Sequence, residues 1–189
     1  METSEISVVL NQLFAEDSIE HNNPETWQVK NEQIRLLVLL SEDFSWLRML
    51  TPIASATEAQ SLFAQLLEDN FDTTQETRYA LEQGVIWGVF QHRLSSLTIE
   101  DFQSAIASLV AMKKQGLSGS FNRLIEQRIR QIIKAAKSQG QSLEATYQTL
   151  DRFYQEGMLG GVDRDPQQRE QFLAAWKYQL ERLWSEVEV

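Results

Sequence analysis

Apolar residues recur at two different periods along this chain, and each change of period marks a new element. In "SEISVVLNQLF", residues 4 to 14, Ile6, Val9, Leu10, Leu13 and Phe14 fall at the three-and-four spacing that lines one side of a helix. "EDSIEHNNPE" breaks that pattern with two asparagines and a proline, and reads as a loop. The following stretch, "TWQVKNEQIRLLVLLSEDFSWLRMLTPIA", is rich in β-branched and aromatic residues and is punctuated by "KNEQ" and "SED". It predicts a three-strand meander over 26–30, 33–40 and 44–51, closed by Pro52. Helical spacing resumes in "ATEAQSLFAQLLEDNF", with Leu62, Phe63, Leu66, Leu67 and Phe71 on one side and Thr57 as N-cap.

"YALEQGVIWGVFQHRLSSLTIEDF" then supplies two more strands, 77–82 and 85–94, joined across "EQG". Gly84 is the residue suited to a positive backbone angle there. Thr98 caps a helix that starts with two carboxylates, Glu100 and Asp101, and turns Ile99, Phe102, Ile106, Leu109 and Val110 to the core. "QGLSGS", residues 115–120, reads as a hinge or domain boundary. Beyond it come three helical patterns and no strand. The first, 121–138, carries Phe121, Leu124, Ile125, Ile129, Ile132 and Ile133. The second, 142–157, carries Leu143, Tyr147, Leu150 and Tyr154 and stops at the glycines of "EGMLGG". The last opens with Asp165 as cap and Pro166 as first helical residue, and places Phe172, Leu173, Trp176, Leu180, Leu183 and Trp184 on its apolar side.

Two of the strands are apolar on both faces. Ile34, Leu36, Val38 and Leu40 alternate with Arg35, Leu37, Leu39 and Ser41; Ile86 and Phe90 oppose Val85, Trp87 and Val89. An antiparallel sheet with one wet face alternates cleanly between apolar and polar, so the second face needs a cover: the chain's own helices, which is the expected answer, a second subunit or a client. Leu37, Leu39, Trp87 and Val89 are the candidate partner-binding residues.

Composition narrows the chemistry. The 189 residues carry a net charge of −10 and no cysteine, which excludes disulfides, thiolate metal sites and cysteine nucleophiles. No apolar run approaches the about 20 residues that span a bilayer, and the acidic N-terminus is unlike a signal peptide, so a cytoplasmic location is expected. The charge is uneven: five Lys and Arg face seventeen Asp and Glu up to Met112. Lys113 to Gln139 instead holds seven cations and only Glu126. Arg123, Arg130, Lys134 and Lys137 form a stripe opposite the apolar side of that helix, an alternative anion-binding surface for nucleic acid or acidic lipid; a solvated face is the simpler reading. His92 shares a face with core residues and reads as structural, and His21 as exposed and incidental. The acidic pairs, among them Glu42/Asp43 and Glu68/Asp69, read as solvated charge. With no phosphate loop, nucleophile elbow or metal-ligand spacing, neither enzyme activity, metal nor cofactor is expected.

The order helix, three-stranded meander, helix, hairpin, helix resembles the type III secretion chaperone fold, also seen in YbjN-like proteins, over residues 3–113. "QIRLLVLLSEDFSWLRML", "EAQSLFAQLLEDNF" and the hairpin-to-helix segment 79–110 carry the resemblance. It implies an α+β domain at 1–116, with an all-helical extension at 117–189 that typical secretion chaperones lack. It further implies a small, acidic, bacterial homodimer that holds extended segments of a client polypeptide without catalysis.

Overall fold

The computed structural model describes residues 1–15, 18–155 and 166–188, with the side chains of 22, 153–155, 166–173 and 175 left aside. The chain forms two compact units, Met1–Phe121 and Asn122–Val189.

Unit 1 is an α+β domain. Its elements are α1 (Thr3–Leu13), β1 (Ile19–Asn23), β2 (Thr26–Lys30), β3 (Arg35–Leu40), β4 (Trp46–Ser55), α2 (Ala56–Ala59), α3 (Phe63–Asp72), β5 (Arg78–Glu82), β6 (Val85–Arg93) and α4 (Ile99–Gln115). The six strands make one antiparallel sheet in the order β1-β2-β3-β4-β6-β5. Helix α4 packs on β4 and β6 and against α1, so the helices close one face. That inner face buries Trp27, Val29, Leu36, Val38, Leu47, Met49 and Phe90 against Ile6, Leu10, Phe102 and Leu109. Trp27 settles its indole N–H by donating to Ser7 Oγ of α1 at 2.9 Å. Packing is tight at Gly88: a Cβ there would lie 3.1 Å from Thr51 Cγ2 on the neighbouring strand and 3.2 Å from Leu109 Cδ2 of α4.

Local chemistry explains most boundaries. Gln83 and Gly84 both take positive φ, 49° and 75°, the mirror-image turn that matches the twist of a two-residue hairpin. Thr98 Oγ1 accepts from the Asp101 N–H at 3.0 Å and starts α4, and Gly116 at φ 55° ends it.

Several expectations are corrected. The polar stretch read as a loop contains β1, whose backbone pairs with β2 through Ile19↔Val29 and Glu20↔Gln28. An edge strand is held by main-chain bonds and needs no apolar alternation, so polarity concealed it. Pro52 does not close its strand: β4 continues to Ser55, paired with β6, with an irregularity between Pro52 and Ala54. The last β3–β4 partner is Leu37↔Leu50, so the N–H that Pro52 lacks falls where no ladder continues on that side. The cap of the second helical segment is Ser55 rather than Thr57; its hydroxyl accepts from the Glu58 N–H at 3.2 Å, and Glu58 accepts in return from the Ser55 N–H at 2.9 Å. Leu13, Leu67 and Phe71 are exposed rather than core, Phe71 by 94%. "QGLSGS" is mostly helix, since α5 (Ser118–Ser138) begins two residues after Gly116.

Unit 2 takes the rest of α5 with α6 (Leu143–Gln155) and α7 (Pro166–Trp184). Ile129 and Ile133 of α5, Leu150 of α6, and Trp176, Leu180 and Leu183 of α7 form its core. Phe121, expected on that side, belongs to unit 1 and is half exposed. Pro166 begins α7. "EGMLGG" and Asp165 lie outside the described residues, as do the side chains of Tyr154, Phe172 and Leu173.

Candidate functional site

The outer face of the sheet is the candidate site, and strand register assembles it in rows. Leu37 on β3, Leu50 on β4 and Val89 on β6 are successive cross-strand partners, flanked by Gln28 on β2 and Arg78 on β5. In the next row, Pro52, Trp87 and Ala80 follow one another across β4, β6 and β5. On the other side, Thr26, Leu39, Arg48 and Gln91 line up across β2 to β6. Neighbouring strands lie about 4.8 Å apart, so the apolar centre spans about 10 Å across three strands.

The helices of unit 1 close only the inner face. Leu37, Leu39, Leu50, Val85 and Trp87 remain half-buried, although the expected cover was the chain's own helices. Val89 is 9% exposed because its neighbours on both sides shield it. Two shallow grooves result, each of about 280 Å³. Leu37, Leu50, Pro52, Val85 and Trp87 line one, with Gln28 and Arg35 at its margin. Leu39, Trp46, Arg48 and Gln91 line the other, with Leu40 and Ser41. The structure therefore brings Leu37, Trp87 and Val89 into one patch and sets Leu39 beside it. Sequence reasoning missed Leu50 and Pro52, because a strand supposed to end at Pro52 gave no reason to pair them with Val89 and Trp87.

Trp87 is oriented by its indole N–H, which donates to the Glu82 carbonyl at 3.3 Å. At the rim, the Arg93 guanidinium stands 5.7 Å from the centre of the Trp46 ring, a cation–π contact. The β3–β4 turn is held by Asp43, whose carboxylate accepts from the hydroxyls of Ser41 and Ser45 at 2.6 and 2.7 Å. Those bonds hold the Asp43 carboxyl at about 2, against an ordinary 3.8.

A second apolar depression lies between α3 and the edge strand β5. Phe63, Leu66, Leu67, Tyr79, Leu81 and Ile86 line its 180 Å³. Leu67 and Leu81 are largely exposed, and Phe71 stands one turn along α3 from Leu67.

The histidines are structural in their contacts. His92 stacks on Phe90 at 6.0 Å on the inner face, with Nδ1 2.8 Å from the Arg93 carbonyl oxygen. His21 is exposed but not incidental; its ring stacks on Trp27 at 4.5 Å. Asp69 departs from the solvated-pair expectation. It is 2% exposed on the core side of α3 and accepts from Gln65 Nε2 at 3.0 Å and Ser120 Oγ at 2.5 Å. Among the described residues no three metal-ligating side chains converge, and no helix is long and apolar enough to cross a membrane.

In unit 2, Arg130 is bonded to Glu126 at 2.9 Å and Glu186 at 2.7 Å. Lys137 donates to the carbonyls of Trp184 and Val187, serving as a cap for the end of α7. Arg123 is half-buried and Lys134 exposed. Arg130 and Lys137 of the stripe thus have internal partners, and Arg123 is not free either.

No protein-family model and no curated protein matches the chain. Solved structures do. The fold resembles that of type III secretion chaperones. One match is to the Yersinia pestis type III secretion chaperone SycH in complex with a stable fragment of YscM2, at 17% identity and TM-score 0.47, covering 60% of this chain and 98% of that one. A second is to the ExsC–ExsE complex, at 17% identity and TM-score 0.46, covering 60% and 95%. A third is to the heterodimeric ExoU–SpcU complex from the type III secretion system of Pseudomonas aeruginosa, at 12% identity and TM-score 0.47, covering 59% and 93%.

Proposed function

We propose that this chain is a non-enzymatic, chaperone-like binding module that holds a client polypeptide against the outer face of its sheet. The observation that supports this reading is the apolar strip Leu37–Leu50–Val89, half-buried at Leu37 and Leu50, with half-buried Trp87 beside it, centred on a sheet whose other face is already closed. Apolar area removed from water stabilises a complex by about 25 cal/mol per Å² before the cost of ordering the client, so a patch of this size favours a segment over a folded partner. The reading includes a cytoplasmic location and self-pairing through the α3–β5 depression. There Leu67, Phe71 and Leu81 would gain a cover in a second copy. Analytical ultracentrifugation of Phe71→Asp tests the pairing: a shift from dimer to monomer is expected, and an unchanged species would remove that part.

The client reading is tested with a photo-crosslinking residue placed at Leu37 in cells that make the protein, and at Glu100 as control. One defined polypeptide crosslinked from position 37 and absent from position 100 is the expected result. Crosslinks that are absent, or the same from both positions, would overturn the proposal.

A further inference from the structure

The cations of the first 112 residues are not scattered. All five, Lys30, Arg35, Arg48, Arg78 and Arg93, sit on the outer face of the sheet, where the register pairs Lys30 with Arg35, Arg48 with Leu39, Arg78 with Val89 and Arg93 with Trp46. All five are exposed. Among the described residues none of them forms an ion pair, although the same stretch holds seventeen carboxylates. The strands carry two acids only, Glu20 on β1 and Glu82 on β5, and those lie on the two edge strands. Of the seven Lys and Arg in unit 1, only Lys113 and Lys114, in the last turn of α4, stand elsewhere; the other five surround the apolar patch of the outer face and, among the described residues, have no internal counter-charge.

We infer that the segment bound there is itself acidic, with an apolar stripe flanked by aspartate or glutamate. This rests on the client-binding reading above and names the chemistry of the client. The apolar centre, about 10 Å across, matches the width of one helix or a short extended segment laid on the sheet. Carboxylates on either flank of such a segment reach Arg35 and Lys30 on one side, Arg78 on the other, and Arg48 and Arg93 at one end. A guanidinium takes a carboxylate through two parallel hydrogen bonds, and its planar group loses less freedom on pairing than an ammonium, which suits four arginines to this task. A single-stranded nucleic acid would meet the same cations. The centre of the patch is aliphatic rather than a row of stacking aromatics, and the net charge of −10 repels a polyanion as a whole, so the observations favour a peptide.

The test uses the full chain and three synthetic 14-residue peptides titrated by calorimetry at low salt. All carry Leu at helical spacing; the flanking residues are Glu in one, Gln in the second and Lys in the third. A dT20 oligonucleotide serves as a fourth ligand. The Glu peptide is expected to bind at least tenfold more tightly than the Gln peptide, to lose most of that margin in 0.5 M salt, and to lose it equally in Arg35→Gln/Arg48→Gln. The Lys peptide, which the overall charge of the protein attracts, is expected to bind no better than the Gln peptide. Equal binding of all three peptides would overturn the inference and leave the client reading standing; binding by none would overturn both. Tighter binding of dT20 than of the Glu peptide would also overturn it in favour of a nucleic acid.

Discussion

Phe90 and Trp87 lie three residues apart on one strand, yet Phe90 is 1% exposed beneath the helices while Trp87 stands half-buried on the other side. Around Phe90, the inner face has met its partners: α1 and α4 supply Ile6, Leu10, Phe102 and Leu109, and a methyl group added at Gly88 would press on Thr51 and Leu109. Around Trp87, Leu37 and Leu50 are paired with their strand neighbours and stay half-buried. Similar aliphatic composition thus serves two ends. One face holds the fold together, and the other is an unfinished layer held open by the first. A binding surface made this way is rigid before its ligand arrives, because the sheet that carries it is fixed from behind.

Mutation of the two faces tests that division, and the largest effect belongs to the inner one. Phe90→Ala should lower unfolding free energy by about 3–5 kcal/mol, as expected for a fully buried aromatic, whereas Trp87→Ala should cost no more than about 1.5 kcal/mol. Urea denaturation of both variants measures this; equal losses would mean that the outer face is as much core as the inner. An intermediate effect is expected at Gly88→Val, where overpacking against Thr51 and Leu109 should cost about 1–3 kcal/mol. Arg48→Gln, across the sheet, should stay within about 0.5 kcal/mol of the parent. A marked destabilisation by Arg48→Gln would show that the outer cations support the fold.

The smallest effect lies at the rim, in the β3–β4 turn. Asp43 is held at about 2 by the Ser41 and Ser45 hydroxyls, below its ordinary 3.8. A carboxylate depressed in the folded state adds stability that is fully present above the unfolded pKa and is lost as pH falls through the folded one. The stability difference between the parent and Asp43→Asn should therefore be flat above about pH 5 and shrink between about pH 4 and pH 2. A difference that persisted unchanged at pH 2 would place the contribution of Asp43 elsewhere.

How much of this was legible in the sequence depended on whether a residue's own pattern or its neighbours decided its place. The period-two runs in β3 and β6 marked strands apolar on both sides, and Thr98 with its following acids marked the start of α4. Those are local signals, and they held. β1 was hidden because backbone pairing, which leaves no side-chain signature, makes it a strand. Pro52 reads as a terminator because sequence does not show that β3 has stopped pairing by that point. Leu67 and Phe71 have helical spacing with the core residues of α3, but the helix turns them past the edge of the sheet. Asp69 sits among residues that look solvated, yet it is buried and accepts a hydrogen bond from Ser120, fifty-one positions on. At the candidate site, Leu37, Leu39, Trp87 and Val89 were visible as surplus apolar positions, whereas Leu50, Pro52 and the encircling cations required the register.

The segregation of charge in unit 1 also has a consequence for how a ligand arrives. Exposed acids such as Glu68, Asp72 and Glu100 lie on the helices, and the five strand cations lie on the opposite side of the sheet, so charge is unevenly divided across the sheet even with Lys113 and Lys114 at the end of α4. An incoming acidic segment would be turned toward the outer face before contact, and a basic one toward the helices, so selection begins in the encounter and not only in the final fit. Such orientation fades once the Debye length shortens to about 3 Å near 1 M salt. The rate of association, more than its strength, is then what ionic conditions in the cell would govern.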